Sequence, residues 1–277
     1  SICSMQHEAV WRLTSQLLPR LVPADAHTVY VPDSEVRSFE AITPSGIAIR
    51  PQGMLDRGFT SLLEEKLAGT QNHFRLGWYR QQLFKIEAML SSNASNYVIW
   101  DADCVPTIEF SFFEADGTPR YMRGGEFHQP YFAMIERLMG LQRVQDFSFV
   151  TPGFPMPRQW LDELIVHIER ENPGRAWFHS FLDATDFSEK SGFSETEILG
   201  TWVANSDHEW VSFETHWERL GRSRLGPPET FSPAELLEAA NQQGLEVVSF
   251  ENWDQPKRRV SKQQKKTFLP FTRRLTR

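Results

Sequence analysis

The sequence predicts an α/β fold, a sheet covered by helices, on three observations. Short apolar runs alternate along the chain with longer stretches of helical spacing. At 277 residues, 40% of them apolar, the chain can bury a full core without staples. Its cysteines, Cys3 and Cys104, are too few for a disulfide framework.

The elements follow in order. HTVYVP at 27–32 and GIAIR at 46–50 read as short strands, and 61–68 and 77–90 carry helical spacing. YVIW at 97–100 is a continuous apolar run, the mark of a buried strand. Segments 108–113 and 119–122 flank Asp116-Gly117, which predicts a hairpin. A helix is expected over 130–139, a strand over 147–150, and a helix over 157–169 that Asn172-Pro173-Gly174 stops. Ser194 caps a helix over 194–204. Ser232-Pro233-Ala234-Glu235 is a capping box with Pro at the first helical position. That last helix ends near Gly244, and 245–250 forms a final strand. There is no internal repeat and no linker inside 1–254, so one domain over 1–254 and a basic tail over 255–277 is the simplest partition.

Charge divides the chain at the same place. The last 23 positions carry nine Lys and Arg and no acid, so the net charge of −7 leaves −16 on residues 1–254. An acidic body argues against a protein that coats nucleic acid, and no nucleic-acid partner is expected. The tail reads as a solvated arm folded back on the acidic body. Its alternative is an anchor to an anionic membrane surface, with Phe268, Leu269, Pro270 and Phe271 between its basic clusters. No apolar run approaches the ~20 residues of a membrane span, and no signal-peptide pattern is visible. The chain opens on Ser1 rather than Met, which leaves room for residues upstream. With two lone cysteines, the expectation is a cytoplasmic protein, with peripheral membrane contact through the tail.

No Gly-rich dinucleotide loop, Walker loop, nucleophile elbow, CxxC or HExxH motif is present. The chemistry gathers instead at Asp101-Ala102-Asp103, directly after the 97–100 strand. Ligands of open α/β sheets bind outside the carboxyl ends of strands. Two carboxylates delivered there can ligate Mn²⁺ or Mg²⁺, with water and ligand phosphates completing the shell. Alone, an Asp-x-Asp tripeptide is a weak signal, and its bland reading is a polar turn.

The tripeptide has company. GWYRQQLFK at 77–85 followed by YVIWDAD at 97–103 resembles the nucleotide-sugar core of GT-A-fold glycosyltransferases, closest to bacterial glycosyltransferase-like domains of unknown function. The likeness continues in order through the 108–121 hairpin, EFHQPYF at 126–132, SGFSETE at 191–197 and HWER at 216–219, spanning roughly residues 24–222. It implies a single Rossmann-like GT-A domain with a mixed, mostly parallel sheet. The first strand near residue 1 is short here, a departure that obscures the nucleotide-base pocket.

The resemblance also implies roles. Asp101 and Asp103 would bind donor and metal, and a C-terminal His would be a third metal ligand, His216 in preference to His208. Arg80, Gln81 and Lys85 would contact the donor. His128 and Trp202 would line the acceptor side, where Trp210 and Trp217 are further stacking faces. An inverting transferase needs a carboxylate to take the acceptor proton, and the family places it at Glu195 or Glu197. These lie about 200° apart on a helix, so only one can face a cleft; Glu195, nearer the helix start, is preferred. Each also has a structural reading. Arg80 and Lys85 would be solvated helix charges, the Glu pair would complement the helix dipole, and the His and Trp residues would pack in the core.

The expected function is therefore a metal-dependent glycosyltransferase. It would move a sugar from a nucleoside-diphosphate sugar to a glycan hydroxyl, in bacterial surface polysaccharide or glycan synthesis. The alternative is a non-catalytic nucleotide-sugar or glycan-binding protein of the same fold. A nucleotidyltransferase would want a Gly-rich, basic loop near the N-terminus, and none is present.

Overall fold

The computed structural model describes residues 1–254; the basic tail lies outside the described residues. The first third runs α1 (Glu8–Leu21), β1 (His27–Val31), α2 (Val36–Ile42), β2 (Ile47–Pro51), α3 (Phe59–Leu67) and α4 (Leu76–Leu90). Then come β3 (Asn96–Trp100), β4 (Cys104–Pro106), β5 (Arg120–Met122), α5 (Gln129–Met139), β6 (Gly153–Pro157) and α6 (Arg158–Glu171). The last third holds α7 (Trp177–Ala184), α8 (Glu195–Ala204), β7 (Val211–Phe213), β8 (Trp217–Glu218), α9 (Gly221–Arg224), α10 (Pro233–Asn241) and β9 (Val247–Ser249). The architecture is mixed α/β, as the alternating pattern predicts.

Among the described residues the strands pair as β1–β2, β5–β7 and β8–β9 in parallel, and as β3–β6 and β4–β9 antiparallel. Hydrogen bonding divides them into four small sheets. Proline is one cause, since it brings no donor to a ladder. Pro51, Pro106 and Pro157 end their strands and Pro155 lies inside β6. The expected short first strand is a single parallel bridge from Ile2 to Tyr30.

The core falls into four clusters. Leu13 and Leu17 of α1 and Leu236 and Ala240 of α10 pack on Val105 of β4 and Val248 of β9. A larger cluster joins α3 to α8 with β3, β5 and β6 through Phe59, Leu83, Ile99, Tyr121, Phe154 and Phe181. Burial of this apolar surface is the main favourable term in folding.

The structure also departs from the pattern reading. α1, α2, α7 and α9 lie outside it; Val10, Leu13, Leu17 and Leu18 give α1 its buried face, and Pro19 falls in its last turn. β6 is hidden in sequence by its prolines. The 108–113 segment is no strand: the turn at Asp116-Gly117 forms, with Gly117 at φ 90°, but pairing is limited to one bridge from Phe113 to Pro119. The 147–150 segment is likewise no strand and makes one bridge, Gly124 to Ser148. Its polar groups are taken up by a helix end instead. Ser148 Oγ donates to Glu197 Oε2 at 2.5 Å and the Phe149 N–H donates to the same oxygen at 3.1 Å.

Two contacts therefore seat α8 on this segment. Besides the Glu197 bonds, Gly200 lies flat on Phe149: a Cβ there would come within 2.0 Å of the ring. Gly200→Ala is expected to cost about 1–3 kcal/mol by overpacking, read as a Tm several degrees lower. Glu197→Ala would strand two buried donors at about 1–3 kcal/mol each; denaturant unfolding should show the loss, and Glu197→Gln should recover part of it.

Candidate functional site

A cleft of about 580 Å³ lies outside the carboxyl ends of four strands. Pro32 follows β1, Gln52 follows β2, Asp101 follows β3 and Glu251 comes just beyond β9, and all four line it. Asp101, Ala102 and Asp103 form the turn between β3 and β4, closed by the Cys104 N–H donating to the Asp101 carbonyl at 3.0 Å. Ala102 points into the core, 7% exposed, and its carbonyl accepts from Thr14 Oγ1. The turn is thus anchored at its middle while Asp101 and Asp103 both border the cleft.

β9 runs antiparallel to β4 with Cys104 opposite Ser249, and the Phe250 N–H donates to the Asp103 carbonyl at 2.9 Å. The end of β9 therefore lies against the start of β4, which carries Glu251 to Asp103. Burial and the neighbouring Asp103 and Asp101 carboxylates push the Glu251 carboxyl up to about 8. Asp103 is raised as well, by burial first and then by Asp101, with His7 and Lys85 opposing. Sequence reading missed Glu251, although an acid at a strand's carboxyl end is the same signal as Asp101.

Lys85 on α4 reaches both sides of the cleft floor. Its Nζ lies 2.6 Å from Asp101 Oδ1 and 2.7 Å from Glu195 Oε1. Burial alone would lower this ammonium's proton affinity, but Asp101 and Glu195 outweigh it and raise the affinity. Glu195 is the first residue of α8, capped by Ser194. Burial raises its carboxyl, opposed by Lys85. Gln82, one turn before Lys85, accepts the Glu195 N–H on its Oε1 at 3.1 Å.

Of the residues the sequence singles out, Arg80, Gln81, Lys85, Asp101, Asp103 and Glu195 share this cleft. Six others, Glu197, His128, Trp202, His216, His208 and Trp210, do not line it. Glu197 is fully buried on Ser148 and Phe149, on the far side of the helix from Glu195. His128 is one layer back: its Nε2 lies 3.0 Å from the Ser191 carbonyl and its ring stands edge-on to Tyr131, and those two residues line the cleft instead. Trp202 packs against His167 on the outer side of α8. His216 has its Nδ1 2.6 Å from the Gly244 carbonyl, so the preferred third metal ligand is directed elsewhere, and its neighbour Trp217 lines the cleft. His208 stacks on Trp160 at 4.2 Å, also outside. Trp217 with Arg219 over its ring at 5.0 Å, Glu126 bridged to Arg219, and the exposed Trp253 complete the outer wall.

Among the described residues, no group of three or more His, Cys, Asp or Glu forms a ready metal cage. No helix of the described residues is long and apolar enough to cross a membrane.

No curated protein matches the sequence. Among solved structures, the fold is similar to apo mouse xyloside xylosyltransferase 1, with a TM-score of 0.48 and 10% identity over 92% of this chain and 98% of that one. The model of a family of unknown function, DUF6492, matches residues 20–258. That match takes in every strand and all helices but the first, together with the whole acidic turn, and the chain belongs to the DUF6492 family.

Proposed function

We propose that this protein is a metal-dependent glycosyltransferase that moves a sugar from a nucleoside-diphosphate sugar to a glycan hydroxyl. The observation that carries the reading is one cleft at four strand ends holding a carboxylate pair at Asp101 and Asp103, with a separate buried carboxylate, Glu195, across Lys85. The ordered likeness of 77–103, 126–132 and 191–197 to GT-A glycosyltransferases supports the same assignment, and surface polysaccharide or glycan synthesis is the setting it implies.

The donor set fits a hard divalent cation. Asp101, Asp103 and Glu251 lie near one another with the buried Lys85 ammonium beside Asp101, and carboxylate oxygens are the donors such an ion takes; burial and mutual repulsion raise the Asp103 and Glu251 carboxyls. Asp101 and Asp103 would hold Mn²⁺ or Mg²⁺, whose remaining ligands would be water and diphosphate oxygens. When bound, the ion supplies charge neutralisation to the departing diphosphate.

The chain's own residues do the rest. Arg80 and Gln81 face the donor region from α4 and would bind phosphate and sugar oxygens. In an inverting transfer the acceptor oxygen bonds to the anomeric carbon as the bond from that carbon to the diphosphate breaks. Glu195 accepts the acceptor's hydroxyl proton. Burial raises its proton affinity, the direction that suits a proton acceptor. Trp217 and Trp253 offer apolar faces for an acceptor pyranose on the outer wall. Peripheral membrane contact through the tail remains a sequence-based proposal.

Asp103→Ala is expected to abolish metal-dependent nucleotide binding and sugar transfer while the near-UV spectrum and Tm stay close to wild type. Asp103 is half-buried and its carboxylate takes only a weak thiol contact from Cys104, so its removal leaves no strong donor unpaired. Transfer that survives this change overturns the reading. Glu195→Gln should keep nucleotide binding and lower kcat by about 10²–10⁴, the usual worth of a general base; a full-rate variant would remove Glu195 from the reaction.

A further inference from the structure

Lys85 lies at 7% exposure between two carboxylates from different elements: Asp101, after β3 and 37% exposed, and Glu195, the first residue of α8 and 2% exposed. An ammonium has three donors, and two of them are committed at 2.6 and 2.7 Å. Among the described residues no other Lys or Arg forms an ion pair with either carboxylate. Residues three apart share a helix face, so Gln82 and Lys85 grip Glu195 together, one by its backbone N–H and the other by its carboxylate.

We propose that Lys85 is a positioning residue shared by the two halves of the site, and that it does not itself contact the donor phosphates. This rests on the glycosyltransferase reading above. The geometry argues for it in three ways. Each carboxylate meets Lys85 through one oxygen, Asp101 Oδ1 and Glu195 Oε1. Asp101, the more exposed of the pair, also borders the open cleft. The ammonium is already neutralised by two anions, so it has little charge left to attract a phosphate, unlike the more accessible Arg80. Helix α4 thus sets the spacing between the donor-side carboxylate and the proton acceptor, and a shift of either moves the other.

The test is the kinetic split of Lys85→Met, with UDP and GDP as binding probes at saturating Mn²⁺ and nucleotide release from the matching sugar nucleotides as turnover. A positioning role predicts nucleotide Kd within about 3-fold of wild type and kcat lower by at least about 30-fold. A Kd weakened by about 10-fold or more while Mn²⁺ affinity is unchanged means direct phosphate contact, and an unchanged kcat means a purely structural residue; either overturns the proposal. If Lys85→Met fails to fold because two carboxylates are left facing one another, Lys85→Met/Glu195→Gln removes that imbalance. Its nucleotide Kd is then compared with that of Glu195→Gln alone, with the same limits. Wild-type protein that binds neither UDP nor GDP with Mn²⁺ overturns the functional reading itself, before any Lys85 variant is made.

Discussion

The buried ammonium of Lys85 is the constraint on which this site depends. Two carboxylates brought together in a protein interior must take up a proton or a compensating cation, and stranding one member of a buried ion pair is costly because a charge is left unpaired. Here the cation comes from the middle of α4, whose neighbours Leu83, Phe84 and Ile86 are core residues. The position of the charge is therefore as firm as the core. The acidic turn and the start of α8 are fixed by reference to it, although each belongs to a different stretch of chain.

A second constraint comes from strand pairing. β9 is the last strand of the described chain and β4 follows the acidic turn, yet they are direct neighbours. Trp217 Nε1 donates to Ser249 Oγ at 2.6 Å, and that hydroxyl lies 2.9 Å from Cys104 Sγ, so a polar chain ties β8, β9 and β4 together beside the cleft. The pairing brings Glu251 up to Asp103 and crowds carboxyl groups at the cleft floor, which raises the proton affinity of both. An acidic floor of this kind makes sense with a divalent cation between protein and phosphate.

How much of this was legible in sequence depends on how local each cause is. The strand at 96–100 and the acidic turn after it are written in adjacent residues, an apolar run followed by Asp101 and Asp103, and the rule about strand ends turns that run into a site. Ser194 as a cap and the box at Ser232 are equally local, and both form. The face of α8 that meets the cleft is different. Glu195 and Glu197 have the same chemistry in sequence; what separates them is that Ser148 and Phe149, nearly fifty residues away, occupy Glu197. His128 and His216 likewise find carbonyls at Ser191 and Gly244, which no spacing rule could name. Glu251 needed the β4–β9 pairing, which joins residues 145 positions apart at Cys104 and Ser249.

The central claim is that Asp101 and Asp103 form a nucleoside-diphosphate site that works through a divalent cation. It is tested most directly by thermal unfolding of the full chain with UDP, GDP, ADP and CMP, each with Mn²⁺ and with EDTA. A ligand at 100 times its Kd stabilises the native state by about 2.7 kcal/mol, which is several degrees in Tm for a chain of this size. A nucleoside diphosphate with Mn²⁺ is expected to give such a shift, and EDTA to abolish it. A shift of the same size in EDTA, or none with any nucleotide, would contradict it.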